Sequence, residues 1–268
     1  MTPTNSPVED RRLAARVRVR AEMTGRTFAG QLLSDAIDST EVLASMRRFR
    51  RRGMGYSQFG EDKVISALLP ERFGRYWDLG AGHPVELSNT YLLYRRGFRG
   101  LGVEPIGSLT RKWRRSRTRD QVVQALVSTE GGSATAQFWE FERWALSTCE
   151  EARARALVDS GQRLHASYEV PSVPVMELLV GEVEPGEPTF LSIDLEGADA
   201  AVLRQVDFSR FRPRVIAVED HQMDDDRSEI SFLLSANGYR PVSRHWVTSI
   251  WLADDWRKSV GFPVPGAV

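Results

Sequence analysis

One cysteine, Cys149, in 268 residues excludes an intramolecular disulfide and any zinc site built from several thiolates. A lone thiol is more often structural than nucleophilic, and Cys149 is read that way. Long apolar runs are missing as well: none approaches the ~20 residues that a membrane-spanning helix needs. The start of the chain has no apolar signal core, because Arg11, Arg12, Arg16, Arg18 and Arg20 interrupt it, so a cytoplasmic location is expected. Net charge is absent: 36 Lys and Arg balance 36 Asp and Glu. The chain as a whole therefore exerts no attraction on nucleic acid or an anionic membrane, and neither is expected as a partner. With 41% hydrophobic and 27% charged residues, what remains is an ordinary globular protein.

The charge is unevenly placed. Residues 1–53 carry 11 arginines, no lysine and six acids. Residues 1–10 read as disordered. Apolar positions then recur at helical spacing through Leu13, Val17, Met23, Phe28, Leu32, Leu33 and Ile37, which predicts one or two amphipathic helices. This basic arm is expected to pack on the main domain or on a second subunit. The sharper alternative is a surface for an anionic partner.

From residue 54 onward, strands and helices alternate. Strands are expected at Tyr76–Leu79, Gly100–Val103, Val122–Val127, Phe190–Ile193 and Val215–Val218, with an extended piece at Ser133–Phe138. Helices are expected at Asn89–Arg96, Leu109–Arg117, Glu150–Val158, Val175–Leu179, Ala200–Gln205 and Ser228–Ala236. Tyr239–Ser243 and Thr248–Leu252 read as a closing hairpin. Residues 140–172 give no clear pattern beyond the helix from Glu150. The alternation predicts a doubly wound α/β domain over 54–268, mostly parallel, with an antiparallel edge.

The informative turn is Asp78-Leu79-Gly80-Ala81-Gly82-His83-Pro84. A strand running into Gly-x-Gly brings backbone close to a nucleotide-like ligand at the carboxyl ends of the strands. A dinucleotide site wants a third small residue where this chain has Val85. It also has no use for an acid beside the pyrophosphate, whereas Asp78 suits a sulfonium or an ammonium. Glu104, 22 residues after Gly82, stands where an acid accepts hydrogen bonds from ribose hydroxyls. Dehydrogenases share that acid, so it does not decide between cofactors. A nicotinamide-dependent oxidoreductase remains an alternative, although no Tyr-x-x-x-Lys pair is present. A nucleic-acid methyltransferase is another, although the Asn/Asp-Pro-Pro-aromatic tetrad that grips a flipped base is missing. A non-catalytic binding protein is a third.

Four groups of residues together carry a resemblance: Ser57-Gln58-Phe59-Gly60-Glu61-Asp62; the glycine turn with Ser88-Asn89-Thr90; Val103-Glu104-Pro105; and Ser192-Ile193-Asp194-Leu195-Glu196-Gly197-Ala198-Asp199 with Val202-Leu203. The chain resembles the FkbM-type methyltransferases over roughly Tyr56 to Asp220. The resemblance implies a Rossmann-like class I sheet of seven strands. It also implies S-adenosylmethionine as cofactor and O-methylation of a small-molecule hydroxyl on a sugar or natural-product scaffold. On this reading Ser57, Gln58, Asp78, Gly80, Ala81, Gly82, Asn89, Thr90, Glu104, Pro105, Ser128 and Asp194 are the expected cofactor contacts.

Methyl transfer to an alcohol needs a base, or a metal ion that lowers the alcohol's pKa. Asp194 and Glu196 follow one expected strand; Glu219, Asp220 and His221 follow the next. Asp194, Glu219 and Asp220 offer hard oxygens for Mg²⁺, as acids at these strand ends do in some sugar O-methyltransferases of the same general fold. His221 and Asp194 are candidate bases, and His83 faces either the ligand or a first helical turn. The bland readings are that Asp194 and Glu196 cap the next helix, and that Asp224-Asp225-Asp226 is a solvated cap. His245 and Trp246 either line the acceptor pocket or, on the favoured reading, pack at the sheet edge. Lys112, Arg114, Arg115 and Arg117 read as a solvated helix face.

Overall fold

The computed structural model describes residues 55–129, 134–179, 183, 184, 186–220 and 228–259, with side chains as far as residue 256. The arginine-rich arm, His221 and Asp224–Asp226 lie outside the described residues. In chain order the elements are α1 (Glu61–Leu68), β1 (Arg75–Leu79), α2 (Tyr91–Arg96), β2 (Arg99–Val103), α3 (Gly107–Ser116), β3 (Gln121–Val123), β4 (Leu126–Ser128) and β5 (Thr135–Phe141). Then follow α4 (Glu151–Asp159), β6 (Leu164–Pro174), α5 (Val175–Leu178), β7 (Thr189–Ile193), α6 (Asp199–Leu203), β8 (Val215–Glu219), α7 (Glu229–Ala236), β9 (Tyr239–His245), β10 (Thr248–Ala253) and α8 (Asp254–Ser259). No helix among the described residues is long and apolar enough to cross a membrane.

Seven strands form the central sheet in the order β3-β2-β1-β7-β8-β10-β9. β3 through β8 run parallel, and β10 pairs antiparallel with both β8 and β9. The chain winds outward from β1 to β3, then returns to lay β7 beside β1. The winding reverses there, and such a switch point opens a crevice at the carboxyl ends of the strands. Every residue of β7 is buried, as a central parallel strand with both faces covered must be. Tyr76, Phe190, Val215, Ala217 and Ile250 pack toward α1 and α2 on one face. Trp77, Leu191, Ile193, Ile216 and Val218 pack toward α6 and α7 on the other. Successive residues of β1 thus serve opposite cores, the period-two signature of a strand.

The expected strand Val122–Val127 is two strands in two sheets. β3 ends its ladder where the Glu104 amide donates to the Val123 carbonyl. β4 begins three residues later and pairs with β6. Apolar periodicity does not register a change of partner. β6 also pairs antiparallel with β5, giving a three-stranded sheet, β4-β6-β5. This sheet covers the segment entering α3 through Ile106, Leu109, Phe138 and Val170. Its strands β5 and β6 bracket the stretch 140–172, with α4 between them.

The expected helix at Asn89 starts at Tyr91, after a loop that runs from Gly82 through Thr90. Its anchor is a buried cation. Arg117, fully buried, donates from Nε to the Pro84 carbonyl at 2.7 Å. It also donates to Ser88 Oγ at 2.7 Å and Thr90 Oγ1 at 2.8 Å. The guanidinium lies over the Trp113 ring, 3.8 Å from its centroid, and Trp113 Nε1 donates to the Gly82 carbonyl at 2.9 Å. Asp120, 3.7 Å away, supplies countercharge. The sequence reading of Arg117 and Lys112 as solvated side chains is therefore corrected: both are buried, and Arg117 is so because the loop presents bare carbonyls and hydroxyls that a guanidinium fork satisfies. Arg117→Ala is expected to cost about 3–5 kcal/mol, the scale for removing one partner of a buried charge network. Denaturant unfolding measures it; a loss below ~1 kcal/mol, the worth of an exposed ion pair, would mean that Arg117 does not hold the loop.

Candidate active site

A cavity of about 380 Å³ opens at the switch point. That volume is within the range of ligand pockets, roughly 300–1,000 Å³. β1 and β7 end in register, Leu79 beside Ile193, and the Asp194 amide donates to the Leu79 carbonyl at 3.0 Å. Gly80, at φ +78°, has no room for a side chain: a Cβ there would sit 1.7 Å from the Asp194 carbonyl oxygen. Gly82, at φ +54°, carries the Trp144 ring where a Cβ would be, at 2.8 Å. Bare backbone thus lines the cavity, and the glycines are required by close approach as well as by φ.

Of the expected cofactor contacts, Gln58, Gly80, Ala81, Gly82, Glu104, Pro105 and Asp194 line this cavity. Ser57, Asp78, Asn89, Thr90 and Ser128 do not. Ser57 Oγ donates to Asp62 Oδ1 at 2.8 Å and accepts from the Asp62 amide at 3.1 Å, so it fixes the entry to α1. Asp78 is buried behind the turn and accepts from Thr90 Oγ1 at 2.5 Å. Burial raises its pKa to about 6, against the nearby Arg117 charge, which lowers it. Asn89 donates to Ser192 Oγ at 3.3 Å. Ser128 is buried at the end of β4, while Ala125, Leu126 and Val127, just before it, face the cavity.

Glu104 is buried at the end of β2. Its Oε2 accepts from the Gly82 amide at 2.8 Å and its Oε1 from the Ile106 amide at 2.7 Å. Desolvation outweighs those bonds and raises its pKa to about 7. Asp194 and Glu219 both line the cavity. Asp194 follows β7 and Glu219 ends β8, and the register of the two strands pairs Ile193 with Val218. The Asp194 pKa lies well above the usual range, first by desolvation and then by the Glu219 and Glu196 charges.

The expected metal trio is not brought together. Asp220 turns into the fold, where Ser228 Oγ donates to it at 2.6 Å and accepts from the Ser231 amide at the start of α7. Among the described residues no group of three or more His, Cys, Asp or Glu is arranged to hold a metal. The turn after Asp194 is held by Asp199, which accepts from the Leu195 and Gly197 amides. That is the capping role expected of Asp194 and Glu196; Glu196 pairs instead with Arg153 of α4. His83 lines the cavity, with Nδ1 accepting from the Val85 and Glu86 amides at 3.2 and 2.9 Å. That leaves Nε2–H of the neutral ring as a donor. Trp246 lines the cavity whereas His245 does not, which corrects the edge-packing expectation for Trp246.

Several lining residues had no sequence signal. Trp144 comes from the stretch without a clear pattern, and Phe138 from the expected extended piece, whose place over the cavity no sequence pattern indicates. Cys149 also lines the cavity, and burial raises its thiol pKa, so it is a poor thiolate nucleophile. Five carboxyl groups face the cavity, Glu86, Glu104, Asp194, Glu196 and Glu219, against the two guanidiniums of Arg143 and Arg153.

The sequence matches the family model described as the methyltransferase FkbM domain over residues 78–241, more than half of the chain. This chain belongs to the FkbM methyltransferase family. The nicotinamide-oxidoreductase alternative falls with that match. The fold of this FkbM methyltransferase is also similar to several solved structures. A TehB-like SAM-dependent methyltransferase from Corynebacterium glutamicum is 10% identical at a TM-score of 0.39, covering 81% of this chain and 98% of its own. The 1,6-didemethyltoxoflavin-N1-methyltransferase of Burkholderia thailandensis is 15% identical at 0.37, covering 94% and 91%. The precorrin-6y C5,15-methyltransferase of Geobacter metallireducens is 13% identical at 0.38, covering 74% and 89%. No curated protein sequence matches the chain.

S-adenosylmethionine, the methyl donor the family implies, fits the residues present. A lining with more carboxyls than guanidiniums accommodates a sulfonium cation. The six-residue α2 starts nine residues beyond Gly82, so the turn offers no adjoining helix N-terminus for a pyrophosphate.

The raised pKa of Glu104 has a consequence without ligand. An acid whose folded pKa exceeds its unfolded value of 4.5 stabilises the fold fully below that value, and the contribution is lost as pH rises through about 7. Wild-type stability is expected to fall between pH 5 and pH 8 more steeply than that of Glu104→Gln, by on the order of 3 kcal/mol at most. Parallel slopes in thermal melts across that range would show that Glu104 is not held in a desolvated site.

Proposed function

We infer that this FkbM methyltransferase transfers the methyl group of S-adenosylmethionine to a hydroxyl of a small molecule. The observation that carries this reading is the carboxyl pair Asp194 and Glu219, side by side at two strand ends and facing one cavity beside the glycine turn. The bound cofactor supplies a methyl group already activated as a sulfonium. The protein's part is to place the acceptor and take its proton. Burial and the Glu219 charge raise the Asp194 pKa, which makes its carboxylate a stronger base than a solvated one. Asp194 is placed to take the acceptor's hydroxyl proton, and the donor, when bound, would supply the methyl group and depart as a neutral thioether. Glu104 accepts the ribose hydroxyls, and the apolar wall of Ile106, Leu126 and Phe138 suits a purine. The same acidic lining disfavours a phosphate backbone, so a small molecule is favoured over nucleic acid as acceptor.

A second reading rests on the same pair. Asp194 and Glu219 would be the residues to hold a divalent cation, which would relieve the repulsion between them and would lower the pKa of a hydroxyl.

Glu104→Ala is expected to weaken S-adenosylhomocysteine binding by roughly 1.5–3 kcal/mol, the worth of hydrogen bonds to a charged group. Calorimetric titration measures it, and an unchanged dissociation constant would remove Glu104 from the cofactor site. Asp194→Asn is expected to lower kcat by about 10²–10⁴, the range for a general base, with S-adenosylhomocysteine affinity nearly intact. Turnover in EDTA separates the two readings: full activity eliminates the metal, and loss restored by Mg²⁺ replaces base catalysis by Asp194 alone.

A further inference from the structure

Three residues other than glycine have positive φ among those described: Leu87 at 58°, Glu196 at 54° and Trp246 at 50°. All three line the cavity. They belong to three separate segments: the loop before α2, the turn after β7 and the β9–β10 hairpin. A bulky side chain in the left-handed region is strained, and such strain persists where the surrounding structure enforces it and function retains it. At Trp246 the enforcement is visible. Arg244 donates from Nε to the Trp246 carbonyl at 3.2 Å and from Nη2 to the Asp220 carbonyl at 2.9 Å. The hairpin tip is thereby tied to the end of β8, next to Glu219.

Three of the eight large apolar side chains exposed among the described residues stand at the cavity. Phe59 is 41% exposed, Leu87 42% and Trp246 62%, and all three line the cavity. Phe59 and Trp246, distant in sequence, meet edge to face with centroids 5.2 Å apart. Strained backbone at Trp246 thus holds one member of an aromatic pair exposed at the rim, while the carboxyl groups stand among the cavity's lining residues.

We propose that Phe59 and Trp246 form the acceptor subsite, a platform that stacks against one apolar face of an uncharged, hydroxyl-bearing acceptor, and that the carboxyl-rich cavity behind it rejects anionic acceptors. This rests on the methyl-transfer reading above and adds the acceptor's charge and shape to it. Aromatic faces bind flat apolar faces through dispersion and ring electrostatics, whatever the identity of the scaffold. Carboxylates in a confined site repel a like charge. A second copy of the chain is the competing occupant of an exposed aromatic pair.

A matched pair of probes tests the proposal: 4-nitrophenyl β-D-glucopyranoside and the corresponding glucuronide, which differ by a carboxylate. Each is titrated into the full chain saturated with S-adenosylhomocysteine. The glucoside is expected to bind, and the glucuronide about tenfold more weakly or not at all. Trp246→Gly suits the existing φ, so its melting temperature is expected to hold or rise. Its glucoside affinity is expected to fall about tenfold, the scale of one stacking contact, and Trp246→Phe to recover part of that. Equal binding of the two probes, no glucoside binding, or an unchanged affinity in Trp246→Gly overturns the proposal while the methyltransferase reading stands. Failure of the wild type to bind S-adenosylhomocysteine overturns both. A dimer by light scattering that Trp246→Gly converts to monomer assigns the platform to self-association and also overturns it.

Discussion

The cofactor end of this protein depends on one buried guanidinium. Trp113 and Arg117 are four residues apart, the spacing that brings side chains of a helix and its C-terminal turn to one face. Their face meets the loop that follows the glycine turn. Trp113 fixes Gly82 through its carbonyl, and Arg117 fixes Pro84, Ser88 and Thr90. Thr90 in turn holds Asp78. The loop has no regular hydrogen bonding of its own between Gly82 and Tyr91, and buried backbone groups must find partners somewhere. A lysine could not replace the fork, because a point charge does not reach three acceptors in one plane. Burying this charge is costly, and the cost is offset by Asp120 and by the face of Trp113. The geometry of the glycine turn is therefore imposed by a helix packed against it, as well as by the conformational freedom of its glycines.

That arrangement separates two duties of negative charge. Asp78 faces away from the cavity toward Arg117 and serves the fold. Glu104, Asp194 and Glu219 face the cavity, and burial raises the pKa of the first two. Neighbouring carboxyls in a poorly solvated site disfavour full ionisation of both. A cationic ligand relieves that penalty and an anionic one deepens it. On the proposed function, in which donor and acceptor share one cavity, the electrostatics that suit a sulfonium also discriminate among acceptors.

The fold was legible where sequence period reports directly on burial. β1, β2, β7 and β8 are short apolar runs between turn signals, and each lies within one or two residues of where the pattern places it. The helix from Ser228 was legible, but its cap is the Ser228 hydroxyl itself, on the Ser231 amide three residues away, where the sequence pattern points to Asp224-Asp225-Asp226. Failures occurred where a residue's partner is remote. Arg117 sits in a run of basic residues that reads as solvated, and the acceptors it satisfies lie 27 to 33 positions earlier. Val122–Val127 reads as one strand because the two sheets that share it are distinguished only by β6, more than 40 residues on. For Asp78 the motif was visible, but the direction of the carboxyl was not. Asp220 looked equivalent to Glu219, its neighbour, yet alternate residues leaving a strand face opposite ways, and only Glu219 faces the cavity.

The small sheet has a physical role that its sequence does not announce. A seven-stranded sheet with helices on both faces leaves its carboxyl edge open, so a cofactor there would be wetted along one side. β4, β5 and β6 close that side. Phe138 and the turn bearing Trp144 are brought over Gly82 and Ile106, and Arg153 of α4 reaches across to Glu196. Trp144 occupies the space that a side chain at Gly82 would need, so the bare glycine and the covering indole require each other. Lower dielectric behind this wall strengthens every charge interaction inside it. The raised pKa of Glu104 is one consequence. Among the described residues the small sheet encloses one side of the cavity and the Phe59–Trp246 rim is apolar and exposed; on the proposed function an acceptor passes that rim to reach Asp194.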